Sequence, residues 1–322
     1  MHVKHYYKNT KGFSPMNTKQ HCPCCGSTSS QEWTKATDRE YRTTDEDFTL
    51  YQCNNCTSLY LFPVPIDRLS EIYPSNYYSF GDQKTSLISS IKTALDKRFF
   101  RQLTRQLSGQ HLSALDVGGG VGWELNVLHA ADNRVQKTMI VDLDPDAAAG
   151  AAKNGHGYFC GRIEDYQTTE KYHIILMLNL IEHVEFPSDV LQKCRDLLAD
   201  DGIIIIKTPN CDALDARLFR YKNWGGFHCP RHWTLFTKES FELCAQNAGL
   251  SVKSFSYTQG APFWATSTLF LLENMGLVSI SRKRPVVYHP LYAPLTGIFA
   301  GFDFIRGLFA KTSQMFFVLG KQ

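Results

Sequence analysis

The sequence predicts an α/β fold, a doubly wound sheet with a small cysteine-bound unit in front of it. Three observations predict this. Short apolar runs at Leu112–Val117, Thr138–Leu143, Tyr172–Leu178 and Ile203–Lys207 alternate with amphipathic stretches, the rhythm of a sheet covered by helices. Residues 203–206 are consecutive isoleucines with no polar alternation, so that strand must be buried on both faces. Finally, Cys22, Cys25, Cys53 and Cys56 form two Cys-x-x-Cys pairs near the start of the chain, the spacing of a tetrahedral structural zinc.

Composition narrows the class. The 322 residues are 43% hydrophobic and 20% charged, an ordinary globular balance. Against 34 basic side chains stand 31 acidic ones, a net +3, which argues against a protein built to neutralise nucleic-acid phosphates. Residues 1–20 hold lysines and no apolar core segment, so no secretory leader is expected. Clustered cysteines in such a chain read as metal ligands in a reducing cytoplasm. Runs of 18 or more uninterrupted apolar residues are absent, so no membrane-spanning helix is expected.

In chain order, residues 1–20 carry Lys4, Lys8, Lys11 and Lys19 without an acid and are expected to be disordered. Residues 21–62 form the zinc ribbon. In it Cys24 is a bystander between two ligands, and Gly26 permits the tight turn after the second cysteine. Asp38, Glu40, Asp45, Glu46 and Asp47 in the ribbon's loop oppose nucleic-acid contact. Residues 63–107 are a connector and helical cap, with Pro63, Pro65 and Pro74 before a helical stretch at Leu87–Leu107. Residues 108–322 form the main domain. Its weaker strands are expected at Gly157–Arg162, Val252–Tyr257 and Gln314–Leu319. Val190, Leu191, Cys194, Leu197 and Leu198 share one helical face with Ser188 as N-cap. Phe241, Cys244, Ala245 and Ala248 repeat the pattern, ended by Gly249. Asp144 is the expected cap of a helix at Ala147–Ala152.

The glycine loop after the first main strand carries the chemistry. It reads Asp116-Val117-Gly118-Gly119-Gly120-Val121-Gly122. Glycines there let a ligand touch the main chain at the carboxyl end of a strand. The dinucleotide spacing G-x-G-x-x-G fails, because counting from Gly118 the last position is Trp123. Asp116 would repel a pyrophosphate and suits a ligand with a positive end, such as the amino acid part of S-adenosylmethionine. Asp142, ending the next strand, can accept from both hydroxyls of a ribose. Acids and main-chain groups of residues 161–165 could reach an adenine amino group.

The series LDVGGGVG, VDLDP, IEDY, YHIILMLNLIEHV and DDGIIIIKTPN, over about residues 112–258, resembles the motifs of class I S-adenosylmethionine-dependent methyltransferases. The resemblance implies a Rossmann-like seven-stranded sheet with the last strand antiparallel, and Gln314–Leu319 would be that strand. It implies cofactor contacts from Asp116, Gly118, Gly120, Gly122, Asp142, Leu143, Ile163, Glu164, Asn179 and Leu180. Members of the family usually have cysteine or serine where this chain has Gly119. Some carry an N-terminal zinc ribbon followed by a segment similar to LSEIYPSNYY, residues 69–78, which would cover the active site. In O-methyltransferases resembling the ubiquinone-biosynthesis enzymes, an EHV segment like 182–184 follows another glutamate and is associated with a divalent metal. Here that position is Asn179, a departure that removes a ligand.

The acceptor side is read from Trp224–Trp233, whose PRH…FT pattern resembles methyltransferases of bacterial surface-polysaccharide and lipid-linked pathways. Histidine can take the proton that an acceptor hydroxyl loses. The order of candidates is His232, His228 and then His183. The opposing reading is that Arg231 and His232 only fix the loop and that His183 packs under the following helix. The helical insertion at 259–312 reads as helices packed on the sheet or on a second subunit. An interfacial element contacting a lipid surface, and so a place at the inner membrane, is the other reading. The expected activity is methyl transfer to a small-molecule or carrier-linked acceptor, such as a sugar of a surface polysaccharide. A nicotinamide-dependent oxidoreductase and a non-catalytic cofactor-binding regulatory module are the alternatives.

Overall fold

The computed structural model describes residues 20–74, 76, 77 and 87–322, with the side chains of 87–92 left out. The expected disordered stretch 1–20 falls, all but its last residue, outside the described residues, as does Tyr78.

The main sheet has seven strands in the order β6-β5-β4-β7-β8-β11-β10. These are β4 (Leu112–Val117), β5 (Val135–Asp142), β6 (Gly157–Cys160), β7 (Tyr172–Leu178), β8 (Leu198–Pro209), β10 (Leu250–Thr258) and β11 (Gln314–Lys321). The β4–β5, β4–β7, β5–β6 and β7–β8 pairs are parallel, and β11 runs antiparallel between β8 and β10. The expected last strand is thus where it was placed. Period-two alternation explains the double burial. Leu115, Val117, Ile175, Met177, Ile204 and Ile206 enter one core cluster, whereas Leu112, Ala114, Ile174, Leu176 and Ile205 enter the other.

Helices cover both faces. On the second cluster lie α2 (Leu87–Thr104), α3 (Trp123–Ala131) and α4 (Ala147–Lys153); on the first lie α5 (Pro187–Leu197) and α7 (Lys238–Asn247). The cap of α7 is Thr237, with a reciprocal bond to Ser240. Two expected caps are corrected. Pro187 opens α5 from a cap position at Phe186, and Ser188 turns its hydroxyl to Cys244 Sγ, 3.2 Å away. Asp146 is the cap residue of α4, while Asp144 Oδ1 accepts from the Asp146 N–H one step earlier.

A second, antiparallel sheet has the order β1-β2-β3-β9. Its first three strands, β1 (Ser30–Ala36), β2 (Phe48–Cys53) and β3 (Leu59–Leu61), belong to the cysteine unit, but β9 is Thr234–Leu235. Leu59 pairs with Leu235 and Tyr60 with Thr234. One core cluster joins Phe48, Leu50, Leu59 and Leu61 to Trp224, Phe227 and Leu235. Residues 21–62 therefore share both a sheet and a core with the segment after β8. Between them and the main sheet run a 3-10 turn at Ile66–Arg68 and the short α1 (Leu69–Ile72). After β8 comes α6 (Leu214–Leu218). The 259–312 insertion contains α8 (Ala261–Asn274) and α9 (Tyr292–Arg306), packed together by Trp264 stacked on Phe299 at 5.4 Å. Among the described residues no helix is long and apolar enough to cross a membrane.

Candidate active site and cysteine cluster

The glycine loop sits between the carboxyl ends of β4 and β5, the position where ligands bind in such sheets. Gly118, Gly120 and Gly122 have φ of +77, +53 and +85, a region open to glycine. The Gly120 N–H donates to Asp142 Oδ2 at 2.8 Å, and the Asp144 N–H donates to Asp142 Oδ1 at 2.9 Å. Asp142 thus pins the loop to the next strand while each carboxylate oxygen keeps a further lone pair. Burial raises its pKa. Asp116, almost wholly buried, is pushed well above the usual carboxylate range by burial, with Glu124 and Asp142 adding to it. Its side chain also explains Gly119: a Cβ there would run into the Asp116 carboxylate.

The other expected cofactor residues vary in what they expose. Leu143 is partly open at the end of β5. Ile163 is buried in the same core cluster as Val141 and Tyr166, so only its main chain can face a ligand. Glu164 is ion-paired with Arg162. Asn179 has φ +55, and its Oδ1 accepts from Gln314 Nε2 at 2.9 Å, which ties the end of β7 to β11. Leu180 bridges the two halves of the site: a Cβ on Gly118 would lie 2.8 Å from its Cδ1. One residue beyond Ile181, the chain reaches the acceptor side.

There the three expected histidines come together. Ring centroids of His183 and His232 are 4.6 Å apart, those of His228 and His232 4.9 Å, and those of His183 and His228 6.0 Å. His232 Nδ1 donates to the Gly226 carbonyl oxygen at 2.8 Å, and its Nε2 lies 3.9 Å from Glu182 Oε1. Burial, with His183 and His228 beside it, pushes the pKa of His232 well down. His183 Nδ1 lies 3.0 Å from the Arg231 carbonyl oxygen and 3.1 Å from the Tyr73 hydroxyl, and desolvation with His228 nearby pushes its pKa to about 3. Glu182 is fully buried; its Oε2 accepts from Thr208 Oγ1 at 3.0 Å, and its Oε1 has no hydrogen-bond partner among the described residues. Burial raises its pKa to about 8. Donor atoms of Glu182, His183 and His232 all fall within 4.8 Å of one another.

His228 is arranged differently. Its Nδ1 donates to Glu40 Oε2 at 2.8 Å, and its Nε2 accepts from the Tyr77 hydroxyl at 2.9 Å. Its φ of +37 is unusual for a side-chain-bearing residue and is a feature that clusters at functional sites. Arg231 is completely buried; its Nη2 bonds Asp38 Oδ2 at 2.6 Å and its Nε donates to the Ile72 carbonyl oxygen at 2.8 Å. Burial would raise the Asp38 carboxyl, but the guanidinium overrides this and holds it below its ordinary value. From the sequence, residues 69–78 are placed over the site and the 182–184 segment is singled out, but no hydrogen-bonding role falls to Tyr73, Tyr77, Glu182 or Glu40. Asp38 and Glu40 enter there only as loop acids that oppose nucleic-acid contact, and both are buried.

The four expected zinc ligands also converge. Cys22 and Cys56 Sγ are 3.5 Å apart, Cys25 and Cys53 Sγ 3.6 Å, and all four lie within 4.8 Å. Sulfurs at zinc–thiolate distance in a tetrahedron are about 3.8 Å apart, so the donor set fits. The two knuckles turn alike: the Gly26 N–H donates to Cys22 O at 2.8 Å, and the Thr57 N–H to Cys53 O at 3.0 Å. Cys24 is buried outside the set of four.

A family model described as "Methyltransferase domain" matches residues 91–254. The chain is similar to the ubiquinone biosynthesis O-methyltransferase of Rhodopseudomonas palustris (strain HaA2), 27% identical over 44% of this chain and 52% of that protein. It is also similar to the mitochondrial ubiquinone biosynthesis O-methyltransferase of Saccharomyces cerevisiae, 30% identical over 47% of this chain and 46% of that one. The chain thus spans about half the length of the curated relatives it matches. A solved plantazolicin methyltransferase aligns over 73% of this chain and 86% of its own with 16% identity and a TM-score of 0.47. With half of its length matched and the glycine loop seated between β4 and β5, the chain belongs to the methyltransferase domain family, the class I S-adenosylmethionine-dependent fold.

Proposed function

We propose that this chain transfers a methyl group from S-adenosylmethionine to a hydroxyl or similar polar group of a small-molecule or carrier-linked acceptor, with a sugar of a surface polysaccharide as the class to test first. The observation that carries the reading is the 179–183 segment: Leu180 packs on Gly118 of the cofactor loop while His183 sits among the histidines. S-adenosylmethionine supplies an electrophilic methyl group when bound. Asp142 would hold its ribose, Gly118, Gly120, Gly122 and Asp116 its amino acid end, and Leu143, the Ile163–Glu164 main chain, Asn179 and Leu180 the remaining faces.

For the acceptor we assign the proton to a relay rather than to His232. His232 has its Nδ1 spent on Gly226 and its basicity suppressed by burial. His228 has a carboxylate on Nδ1 to stabilise the imidazolium and a phenol on Nε2. As the methyl group arrives, the acceptor O–H passes its proton to Tyr77, and Tyr77 passes its own to His228 Nε2. The proton so retained balances the positive charge lost when the sulfonium becomes a thioether. His183 and His232 shape the pocket. Alignment supplies the rest of the rate.

We also assign Cys22, Cys25, Cys53 and Cys56 to a structural zinc, which suits a reducing, cytoplasmic setting. The units are best taken as a ribbon at 21–62, a connector and cap at 63–107, and the methyltransferase domain at 108–322 with its insertion at 259–312. The first test is thermal denaturation with S-adenosylhomocysteine. A ligand at a hundred times its Kd adds about 2.7 kcal/mol, a shift of several degrees, and no shift at millimolar ligand would sink the assignment. Acceptors are then screened by release of S-adenosylhomocysteine.

A further inference from the structure

Helix α9 is inverted relative to an ordinary surface helix. Its two charged residues, Asp303 and Arg306, are buried and paired with each other at 2.7 Å. Its outward side and the turn after it present Leu291, Ile298, Phe304, Ile305, Leu308 and Phe309, between 42% and 77% exposed. Leu291, Ile298, Ile305 and Leu308 fall on one stripe at helical spacing. An exposed patch of this kind marks a surface that meets something apolar.

The charges in the same stretch of chain narrow what that is. Residues 275–311 contain Arg282, Lys283, Arg284, Arg306 and Lys311 against the single acid Asp303; Arg306 is paired with Asp303 and Lys311 with Asp212, which leaves the three cations of the Arg282–Arg284 run. With Asp303 buried, no exposed acid remains in the segment; the Arg282–Arg284 run is exposed, with Glu71 of α1 as an acid within electrostatic reach of Arg282. A second copy of the chain packed on this face about a two-fold axis would bring the same cations and no acid from this segment to meet them. An anionic bilayer surface supplies both an apolar layer and the opposite charge.

We propose that α9, the 307–309 turn and the 282–284 run seat the protein on an anionic lipid surface. The seat is close to the acceptor loop. Helix α8 packs on α9 through Trp264, and its Ser267 Oγ accepts from the Gly225 N–H at 2.9 Å, three residues before His228. A bilayer under α9 therefore stands one helix layer from the histidines, the placement a lipid-linked acceptor needs. This last step rests on the methyl-transfer reading; the docking itself does not.

The test is flotation of the full chain with vesicles of phosphatidylcholine alone or with phosphatidylglycerol added, without cofactor or acceptor. Binding is expected to the anionic vesicles and to fall in high salt. Arg282→Gln, Lys283→Gln and Arg284→Gln should each weaken it about five-fold, and Ile305→Asp or Phe309→Asp should abolish it. Thermal shift by S-adenosylhomocysteine shows separately that each variant is folded and that the cofactor reading holds. No flotation with anionic vesicles overturns the proposal. So does sedimentation as a dimer that Ile305→Asp dissociates, which would give the face to a second copy.

Discussion

Glu40 Oε2 accepts a hydrogen bond from His228 Nδ1 at 2.8 Å across 188 residues of sequence. The pair joins the cysteine unit to the loop that carries the candidate catalytic groups. With Nδ1 so engaged, Nε2 must be the acceptor for the Tyr77 hydroxyl.

Replacing Glu40 by Gln keeps the size and removes the charge that stabilises a protonated His228. Turnover is expected to fall about 10- to 100-fold, with the affinity for S-adenosylhomocysteine unchanged. Tyr77→Phe should act on the same step, so the double variant should be little worse than the worse single one. Measured losses that multiply would mean that the two residues do not form one relay.

Arg231 and Asp38 make an ion pair from which water is excluded. Arg231→Met would leave the Asp38 carboxylate buried without its partner, at a cost of about 3–5 kcal/mol. Adding Asp38→Asn to that variant should recover much of the loss. Chemical denaturation of the two variants checks this, and an Arg231→Met protein of undiminished stability would count against it.

Glu182 makes stability depend on pH in a definite direction. Its carboxyl titrates at about 8 in the fold against an ordinary 4.5. Between those values the folded protein holds the proton and the unfolded chain does not. The contribution is complete below pH 4.5 and is lost as the pH rises towards 8. Glu182→Gln cannot lose a proton, so relative to that variant the wild type should weaken between pH 5 and pH 9 by on the order of a few kcal/mol. Melting temperatures of both proteins across that range decide it; a constant gap would exclude the effect.

The Asp142 carboxylate holds Gly120 and Asp144 and is assigned the ribose. Asp142→Ala is expected to reduce S-adenosylhomocysteine affinity by more than tenfold while costing only about 1 kcal/mol of stability for the lost loop bonds. Titration calorimetry and denaturation measure the two quantities separately.

The parts legible in the sequence are those written in local periodicity. Ile203–Ile206 is apolar on both faces and lies inside the sheet between β7 and β11, and Gln314–Leu319 falls within the antiparallel strand. The glycine loop was legible because φ above zero restricts the residue type. What was hidden depends on contacts distant in sequence. Thr234–Leu235 is too short to show any alternation, yet it closes the second sheet. Glu40, in a run of charged residues, looks like any solvated acid until the fold brings His228 to it. The bond of His232 Nδ1 to the Gly226 carbonyl oxygen, between residues six apart in a loop, has no signature in the sequence either.

The β3–β9 pairing carries the last prediction. Cys53 ends β2 and Cys56 stands between β2 and β3, so the cysteine cluster sets the register in which Leu59 and Tyr60 meet Leu235 and Thr234. Trp233, which precedes β9, donates its main-chain N–H to the Glu182 carbonyl oxygen at 2.7 Å, and its carbonyl accepts from Leu61 at 2.9 Å. A loosened cluster would therefore be felt at the histidines. Stripping zinc with a chelator, or Cys53→Ser, should lower the melting temperature and abolish methyl transfer, whereas S-adenosylhomocysteine should still bind, because the Gly118–Gly122 loop and Asp142 belong to the other sheet. Metal content, calorimetry and turnover on the same sample test the chain of effects. Full activity in a protein shown to be free of zinc would break it at the first link.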